Sequence, residues 1–184
     1  MGENWDVKYK FAPEDLPDVK TFTFTIIFFM MSEDMMFHLM HRLLHHRWLY
    51  PYVHKLHHEY KTTVGLAAEY SHPIDFFLTG IVPTTLAGVL LGKYTHIATV
   101  IAWNIARIFE SIDGHCGYEF SWSPYRLIPF GASASYHDYH HSHNVGNYSS
   151  MLTFWDTVLG SNDDFHKFNE KEIALKKKNS EKLQ

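Results

Sequence analysis

The stretch His137-Asp138-Tyr139-His140-His141 places three imidazoles at positions i, i+3 and i+4. On an α-helix these positions lie on one face, so the three rings can approach a common point. Two similar stretches precede it, His41-Arg42-Leu43-Leu44-His45 and His54-Lys55-Leu56-His57-His58. We number the three stretches in chain order as boxes one, two and three. Eight histidines therefore fall into three helix-compatible clusters.

The number of these histidines bears on what they bind. Imidazole suits zinc, copper, iron and nickel, and an i, i+4 pair can present two rings to one ion. A single box could equally hold solvated or hydrogen-bonded histidines, but three boxes in 184 residues favour metal binding. Structural zinc is satisfied by about four ligands. Eight or more histidines therefore predict two ions with four or five imidazoles each and open positions for a small molecule.

The boxes, their order and the short sequence motifs around them resemble those of the fatty acid hydroxylase/sterol desaturase superfamily, most closely its sterol carbon-4 methyl oxidase branch. The resemblance covers residues 33 to 161 in unbroken order. Besides the boxes it rests on Glu33-Asp34, Glu59-Tyr60, Ala68 to Pro73, Asp113 to Tyr118, Ile128 to Phe130, Gly146 to Tyr148, and Phe154-Trp155-Asp156 before Leu159-Gly160.

This resemblance implies a membrane-bound di-iron oxygenase that uses dioxygen to hydroxylate a lipid C–H bond, most closely a sterol methyl group. Two iron ions would be the cofactors, although the residues alone leave zinc open in their place, and zinc has no redox chemistry. Electrons would come from an external haem protein and its NAD(P)H-dependent reductase, since this sequence has no haem or flavin motif. The resemblance also implies the endoplasmic reticulum membrane. The residues identify no catalytic group beyond the metal centre.

Nine histidines are the predicted metal ligands. They are His41, His45, His54, His57, His58, His115, His137, His140 and His141. The superfamily supplies an extra histidine between boxes two and three, and by resemblance His115 takes that place. As a lone histidine it could also be a hydrogen-bonded structural residue. Five other histidines are predicted not to bind metal, because they lie off the box spacing or in polar stretches: His38, His46, His96, His143 and His166.

Carboxylates near the ligands are expected as well, because a metal-bound imidazole usually donates its other N–H to an acid or a carbonyl. We prefer Asp138 and Asp113 for this role. Other candidates are Glu110, Glu33 and Asp34, each of which could instead cap a helix or be solvated. His72 is assigned to the same supporting layer or to the substrate side, with a purely structural role left open.

The composition of the chain argues against several other classes of protein. The length suits one domain, and the apolar fraction of 46% supports a sizeable core. The formal net charge of −4 argues against nucleic acid as a partner, because phosphate binding requires a basic surface. The single cysteine, Cys116, cannot form an intrachain disulfide and is predicted to be a small packing residue.

The predicted architecture is an all-α, membrane-associated helical bundle with the histidine-rich two-metal centre on one side. Residues 1–20 form a polar N-terminal arm, 21–161 the fatty acid hydroxylase-like domain, and 162–184 a polar, solvated C-terminal tail. Lipid or sterol substrate and membrane are the expected partners.

Within the domain, the apolar run 21–31 ends at Glu33-Asp34 and is too short to cross a bilayer alone. Box two is expected on a second helix after Pro51. The runs 74–91 and 94–109 are predicted to enter the membrane and return, which brings box three to the side of the other boxes. Two core helices of a soluble bundle would give a similar pattern.

A second hypothesis comes from a different class: a shortened, non-catalytic paralogue that serves as a structural subunit of a larger membrane complex, for example in the mitochondrial inner membrane. It would hold metal for stability only. The family usually carries further apolar spans before box one, and Phe37 stands where many members have another histidine. The intact boxes favour the enzyme. A soluble zinc hydrolase is disfavoured, since no box contains a general base as H-E-x-x-H does.

Overall fold

The computed structural model describes residues 8–182, and this part of the chain is helical, with no β-strand. The main helices are α1 (Val19–Leu44), α2 (Pro73–Tyr94), α3 (Ile97–His115), α4 (Ala134–His143), α5 (Phe154–Leu159) and α6 (Asp163–Glu181). Short 3-10 or π turns lie at Pro13–Asp15, Tyr50–His54, His57–Glu59, Gly65–Glu69 and Pro124–Leu127. The predicted all-α class is confirmed.

Helix α1 corrects the prediction of two separate apolar runs. It is one helix of 26 residues, which spans roughly 39 Å at the usual rise of 1.5 Å per residue. Glu33 and Asp34 do not interrupt it, because both carboxylates are buried and bonded within the protein. Glu33 accepts from Arg107, and Asp34 accepts from the backbone N–H groups of residues 151 and 152. The chain can therefore continue as a helix through both acids.

Helices α1 and α2 are the two in the described chain that are long and apolar enough to cross a membrane. Only 22% of the most apolar window of each is buried inside the protein, whereas a core helix of a soluble bundle would be mostly buried. Their exposed apolar side chains include Phe22, Phe24, Phe28, Phe77, Val89 and Leu90. Membrane association is therefore supported, and α1 is long enough to cross, contrary to the prediction.

Three helices place the boxes at one end of the bundle. Box one lies at the C-terminal end of α1, α2 leads away from that end, and α3 returns to it at His115. The predicted outward and return runs are thus present, but α3 is not a candidate span by composition. Further from the boxes, Phe29 of α1, Ala87 of α2 and Trp103 of α3 share one buried core.

Box two departs from the predicted α-helix. Tyr50–His54 forms a π turn, and His57–Glu59 forms a 3-10 turn. Pro51 lies in the first turn, where its missing backbone N–H costs nothing.

The C-terminal segment, predicted as a solvated tail, forms α6, which has no buried residue. Phe165 attaches its first turns to the bundle, with ring centroids 4.9 Å from Tyr136 and 5.4 Å from Tyr139.

Candidate metal centre

The structure brings all nine predicted ligands together in two adjacent groups. The five-histidine group contains His41, His45, His54, His58 and His140, and the four-histidine group contains His57, His115, His137 and His141. In each group, one ring nitrogen of every residue lies within 4.8 Å of the others. Eight of the rings are buried, and His45 is partly exposed. Their role as ligands remains a prediction, which this arrangement permits.

Boxes two and three each divide their histidines between the two groups. In box two, the i, i+4 pair His54 and His58 joins the five-histidine group, and His57 turns to the other. In box three the assignment is reversed: His137 and His141 join the four-histidine group, and His140 joins the five-histidine group. Each i, i+4 pair therefore serves one group, while the i+3 ring links its box to the second.

The chain around box three fixes its helix at both ends. The Ser133 hydroxyl accepts a hydrogen bond from the Tyr136 backbone N–H at 3.0 Å, and Asn144 ends α4 in the left-handed conformation. Gly146 follows with φ +63°, and a Cβ there would lie 2.3 Å from the Ser161 carbonyl oxygen. Only glycine fits, and its own carbonyl accepts from Nδ1 of His140 at 2.6 Å.

Hydrogen bonds at Nδ1 determine which ring nitrogen faces inward for three members of the five-histidine group, His41, His54 and His140. His41 Nδ1 donates to the Tyr148 carbonyl at 2.8 Å, and His54 Nδ1 lies 2.6 Å from an Asp75 carboxylate oxygen. A neutral ring has one N–H, so Nε2 of both residues carries a lone pair. These two Nε2 atoms are only 3.0 Å apart. Two lone pairs at that distance fit a shared cation.

The four-histidine group shows the same arrangement. His57, His115 and His141 direct Nδ1 to the backbone carbonyls of residues 70, 111 and 60, at 3.3, 2.8 and 3.1 Å. Their Nε2 lone pairs therefore face inward. Nε2 of His137 lies 2.9 Å from that of His115 and 3.2 Å from that of His141. The donor set again suits a metal ion that takes nitrogen ligands.

Burial keeps these rings neutral. It is the main cause that lowers the pKa of six box histidines below the ordinary value, and neighbouring imidazoles lower the pKa of all six further. The six are His45, His54, His58, His137, His140 and His141. A protonated ring would need burial of its charge and would lose its inward lone pair. Neutral imidazole is the form that binds metal.

Asp75 is a functional candidate that the sequence analysis missed. It is buried at the start of α2 and lies 2.6 Å from Nδ1 of His54, while the Thr79 hydroxyl donates to its other carboxylate oxygen at 3.1 Å. A carboxylate partner orients a ligating imidazole and makes it more basic. The available signal was an acid within an otherwise apolar run, because ionisable residues there usually have a function.

The acids preferred from sequence have other partners. Asp138 accepts from the Thr63 backbone N–H at 3.1 Å and its hydroxyl at 3.2 Å, so it holds the loop after box two. Asp113 accepts from Arg126 at 2.9 Å and from Ser123 at 3.2 Å. Within residues 8–182 the hydrogen bonds of these two carboxylates go to groups other than imidazoles, and their role beside the ligands stays a prediction. His72 caps α2, accepting from the Ile74 backbone N–H.

Asp156 organises the loop between box three and α5. Its carboxylate is fully buried and accepts from the backbone N–H groups of Tyr148 and Ser149 at 2.9 and 2.8 Å. Burial alone would raise its pKa, but hydrogen bonds from His38, Ser161 and Ser149 lower the pKa of Asp156 to about 2. The same loop supplies the Tyr148 carbonyl to His41. Asp156 therefore positions a ligand without touching it.

The five histidines predicted not to bind metal lie outside both groups. His38 is nevertheless buried, with Nδ1 3.2 Å from the Ser149 hydroxyl and 3.4 Å from an Asp156 carboxylate oxygen. His96 caps α3 by accepting from the Ala98 backbone N–H. Cys116 is half-buried, and its thiol donates to the Asp113 carbonyl at 3.0 Å.

Both groups open onto one cavity of about 360 Å³ between α1, α2 and α3. His41 and His54 of the five-histidine group reach it, as do His57, His115 and His137 of the other. Phe37, Phe76, Ile81 and Ile108 supply apolar walls. The volume lies at the lower end of the range of small-molecule sites, roughly 300 to 1,000 Å³. An apolar molecule can therefore lie beside both groups.

The fold and the site define a helical, membrane-associated protein with two neighbouring histidine groups that could hold metal ions. More particularly, the chain belongs to the fatty acid hydroxylase family, whose model matches residues 26–161. The superfamily predicted from the boxes is confirmed.

Three relatives illustrate the family. Methylsterol monooxygenase 1 of Gallus gallus is 40% identical over 154 residues, covering 80% of this chain and 50% of that protein. A C-4 methylsterol oxidase of Schizosaccharomyces pombe is 36% identical over 163 residues, covering 87% and 54%. A very-long-chain aldehyde decarbonylase of Oryza sativa subsp. indica is 40% identical over 145 residues, covering 77% and 53%.

The chain thus spans about half the length of the curated relatives it matches. The sterol carbon-4 methyl oxidase branch is confirmed as the branch it resembles. No solved structure matches the chain.

Proposed function

We propose that this protein is a membrane-bound di-iron oxygenase that hydroxylates a methyl group of a sterol with dioxygen and external electrons. The proposal places it in the endoplasmic reticulum, with a haem protein and an NAD(P)H-dependent reductase as its electron source. The family and the names of two relatives support an oxygenase acting on a membrane lipid. Iron, dioxygen and the sterol itself belong to the proposal.

The observation that carries it is the opening of both histidine groups onto the same apolar cavity. A purely structural metal site is closed by its ligands, whereas a catalytic site keeps a position open beside a substrate pocket. The four-histidine group would leave positions open on a six-coordinate ion. Two iron ions, when bound by these nine imidazoles, would supply the redox chemistry needed to activate dioxygen towards a C–H bond.

The chain's own residues hold the substrate and exclude water. The apolar walls at Phe37, Phe76 and Ile108 bury a hydrocarbon surface next to the rings. Carbonyls and Asp75 fix the Nδ1 protons, so the Nε2 lone pairs point towards the cavity end before any ligand binds. Such preorganisation fixes the distance between the reacting carbon and the metal centre.

The structural-subunit hypothesis has no observation in its favour. It requires only buried ligands, yet the cavity beside them has the size and walls of a binding site. The mitochondrial location attached to it finds no support in the relatives, two of which are named as sterol oxidases.

Turnover by the purified full chain in lipid nanodiscs tests the proposal. The protein is loaded with iron and given a 4-methylsterol, an electron donor system and ¹⁸O₂. We expect a hydroxylated sterol that carries one ¹⁸O atom, and no product from protein loaded with zinc. His140→Ala should abolish the product, whereas His143→Ala, on the same helix but outside both groups, should retain it. Unlabelled product, or equal activity with zinc, would contradict the proposal.

A further inference from the structure

The cavity contains a buried ion pair that the metal centre does not use. Arg107 of α3 donates from Nε to Glu33 at 2.8 Å, and from a terminal nitrogen to Oε2 of Glu110 at 2.5 Å. Its other terminal nitrogen donates to the Ser150 hydroxyl. Glu33, Arg107 and Glu110 are exposed by 0%, 7% and 5%. Two carboxylates thus share one guanidinium beside an apolar cavity.

Three ionisable side chains are costly to bury together, and ionisable groups at this depth are usually kept for a function. Only part of the ion pair faces the cavity: Arg107 and Glu110 line it, and Glu33 does not. In the described part of the chain, the hydrogen bonds to Glu110 all fall on Oε2. Its Oε1 is turned towards Gly114, lying 4.0 Å from the position that a Cβ on Gly114 would occupy.

Oε1 of Glu110 lies on the face of α3 that leads to the metal centre. Asn104, Arg107, Ile108, Ser111, Gly114 and His115 line the cavity along one face of α3. Gly114 adjoins the ligand His115, and Glu110 lies about 7.5 Å back from His115 along the helix axis at 1.5 Å per residue. A carboxylate oxygen with free acceptor capacity therefore lies near the reacting end of the cavity.

We propose that Oε1 of Glu110 accepts a hydrogen bond from a hydroxyl group of the lipid substrate, located close to the carbon that is oxidised. This inference rests on the proposed function and specifies its substrate class. Of the other carboxylates that line the cavity, Asp75 is bonded to His54 and Thr79, and Glu69 is exposed. Oε1 of Glu110 is therefore the buried acceptor that fits a lipid with one hydroxyl donor. A sterol has such a hydroxyl on ring carbon 3, adjacent to the methyl-bearing carbon 4, whereas an aldehyde has no hydroxyl donor. Glu110 would thus select a sterol over an aldehyde.

Equilibrium binding separates this role from turnover. The probes are a radiolabelled 4,4-dimethylsterol and its 3-O-methyl ether, which keeps the carbon skeleton but has no donor. The full chain in lipid nanodiscs should bind the free sterol about tenfold more tightly than the ether, the scale of one hydrogen bond to a charged group. Glu110→Gln should reduce this ratio several-fold, mainly by weakening binding of the free sterol.

Glu33→Gln is the matched control, because Glu33 shares Arg107 but does not line the cavity. It should keep the tenfold ratio. Gly114→Ala gives a second test that leaves the charges intact: its added methyl meets only Oε1 within 4 Å, so the helix can accept it. This variant should also reduce the ratio, by placing a methyl group next to Oε1.

The possible outcomes distinguish the two proposals. Equal binding of both probes by the unmodified protein, or the same loss of preference in Glu33→Gln and Glu110→Gln, would overturn the role of Glu110 and leave the oxygenase proposal standing. If the protein still binds the free sterol more tightly than the ether but shows no turnover, only the oxygenase proposal is overturned.

Discussion

The two histidine groups use the same ligand type but are supported differently. In the five-histidine group, a buried carboxylate, Asp75, holds His54. In the four-histidine group, the Nδ1 partners within residues 8–182 are the backbone carbonyls of residues 60, 70 and 111. A carboxylate makes its imidazole a stronger donor and places a negative charge near the ion. The five-histidine group should therefore bind its ion more tightly.

The groups are also linked to each other. Box two sends His57 to the four-histidine group, and box three sends His140 to the five-histidine group. Two rings on one short segment cannot move independently, so a shift at one ion is passed to the other. The two groups should therefore differ in metal affinity, and the boxes that they share should couple them. Three sets of variants can test this difference.

Removing one ligand from each group should have the largest effect. We expect His140→Ala and His137→Ala each to lower the metal content from about two ions per chain to about one, and to reduce turnover at least about 100-fold. Metal analysis after gel filtration measures the first effect. His143→Ala on the same helix should keep both ions. Complete retention of metal in either ligand variant would rule out the assignment of that group.

Asp75→Asn should affect the metal affinity of the five-histidine group more than that of the four-histidine group, because only the former has this carboxylate partner. Loss of the carboxylate charge beside His54 should weaken binding of one ion about tenfold or more, the usual effect of removing such a partner. Competition with a chelator measures the affinity of each site. Asp164→Asn, at an exposed ion pair with Lys167, is the control. If both ions weaken equally, the coupling between the groups outweighs their difference in support.

Asp138→Ala should have the smallest effect and tests the link between boxes two and three. It removes two hydrogen bonds to Thr63, which is 2% exposed, at a cost of about 1–3 kcal/mol in stability. Chemical unfolding of the metal-loaded protein measures this loss. We expect two ions per chain to remain at saturating metal. Loss of one ion would show instead that Asp138 supports a ligand directly.

Much of the site could be predicted because its signals are local. The i, i+3, i+4 spacing identified eight of the nine rings, and the resemblance added His115. The partners of these residues could not be predicted from spacing. Asp75 meets His54 across 21 residues, and Glu33 meets Arg107 across 74. Both contacts depend on how α1, α2 and α3 pack.

The division of box two shows a further limit. A regular helix directs i, i+3 and i+4 rings to one face, yet box three on α4 divides its rings between the two groups just as box two does on its π and 3-10 turns. Such turns depend on tertiary contacts as much as on local sequence. In the same way, Glu33 and Asp34 look like an interruption of α1 until their buried partners are known.

The most direct test of the two-group account is the number of metal ions that the unmodified full chain binds. The purified protein is stripped of metal, titrated with iron under anaerobic conditions, and its bound iron is measured after equilibrium dialysis. The account predicts saturation at two ions per chain, with one ion held more tightly than the other. Saturation at a single ion, or no retained iron, would contradict it.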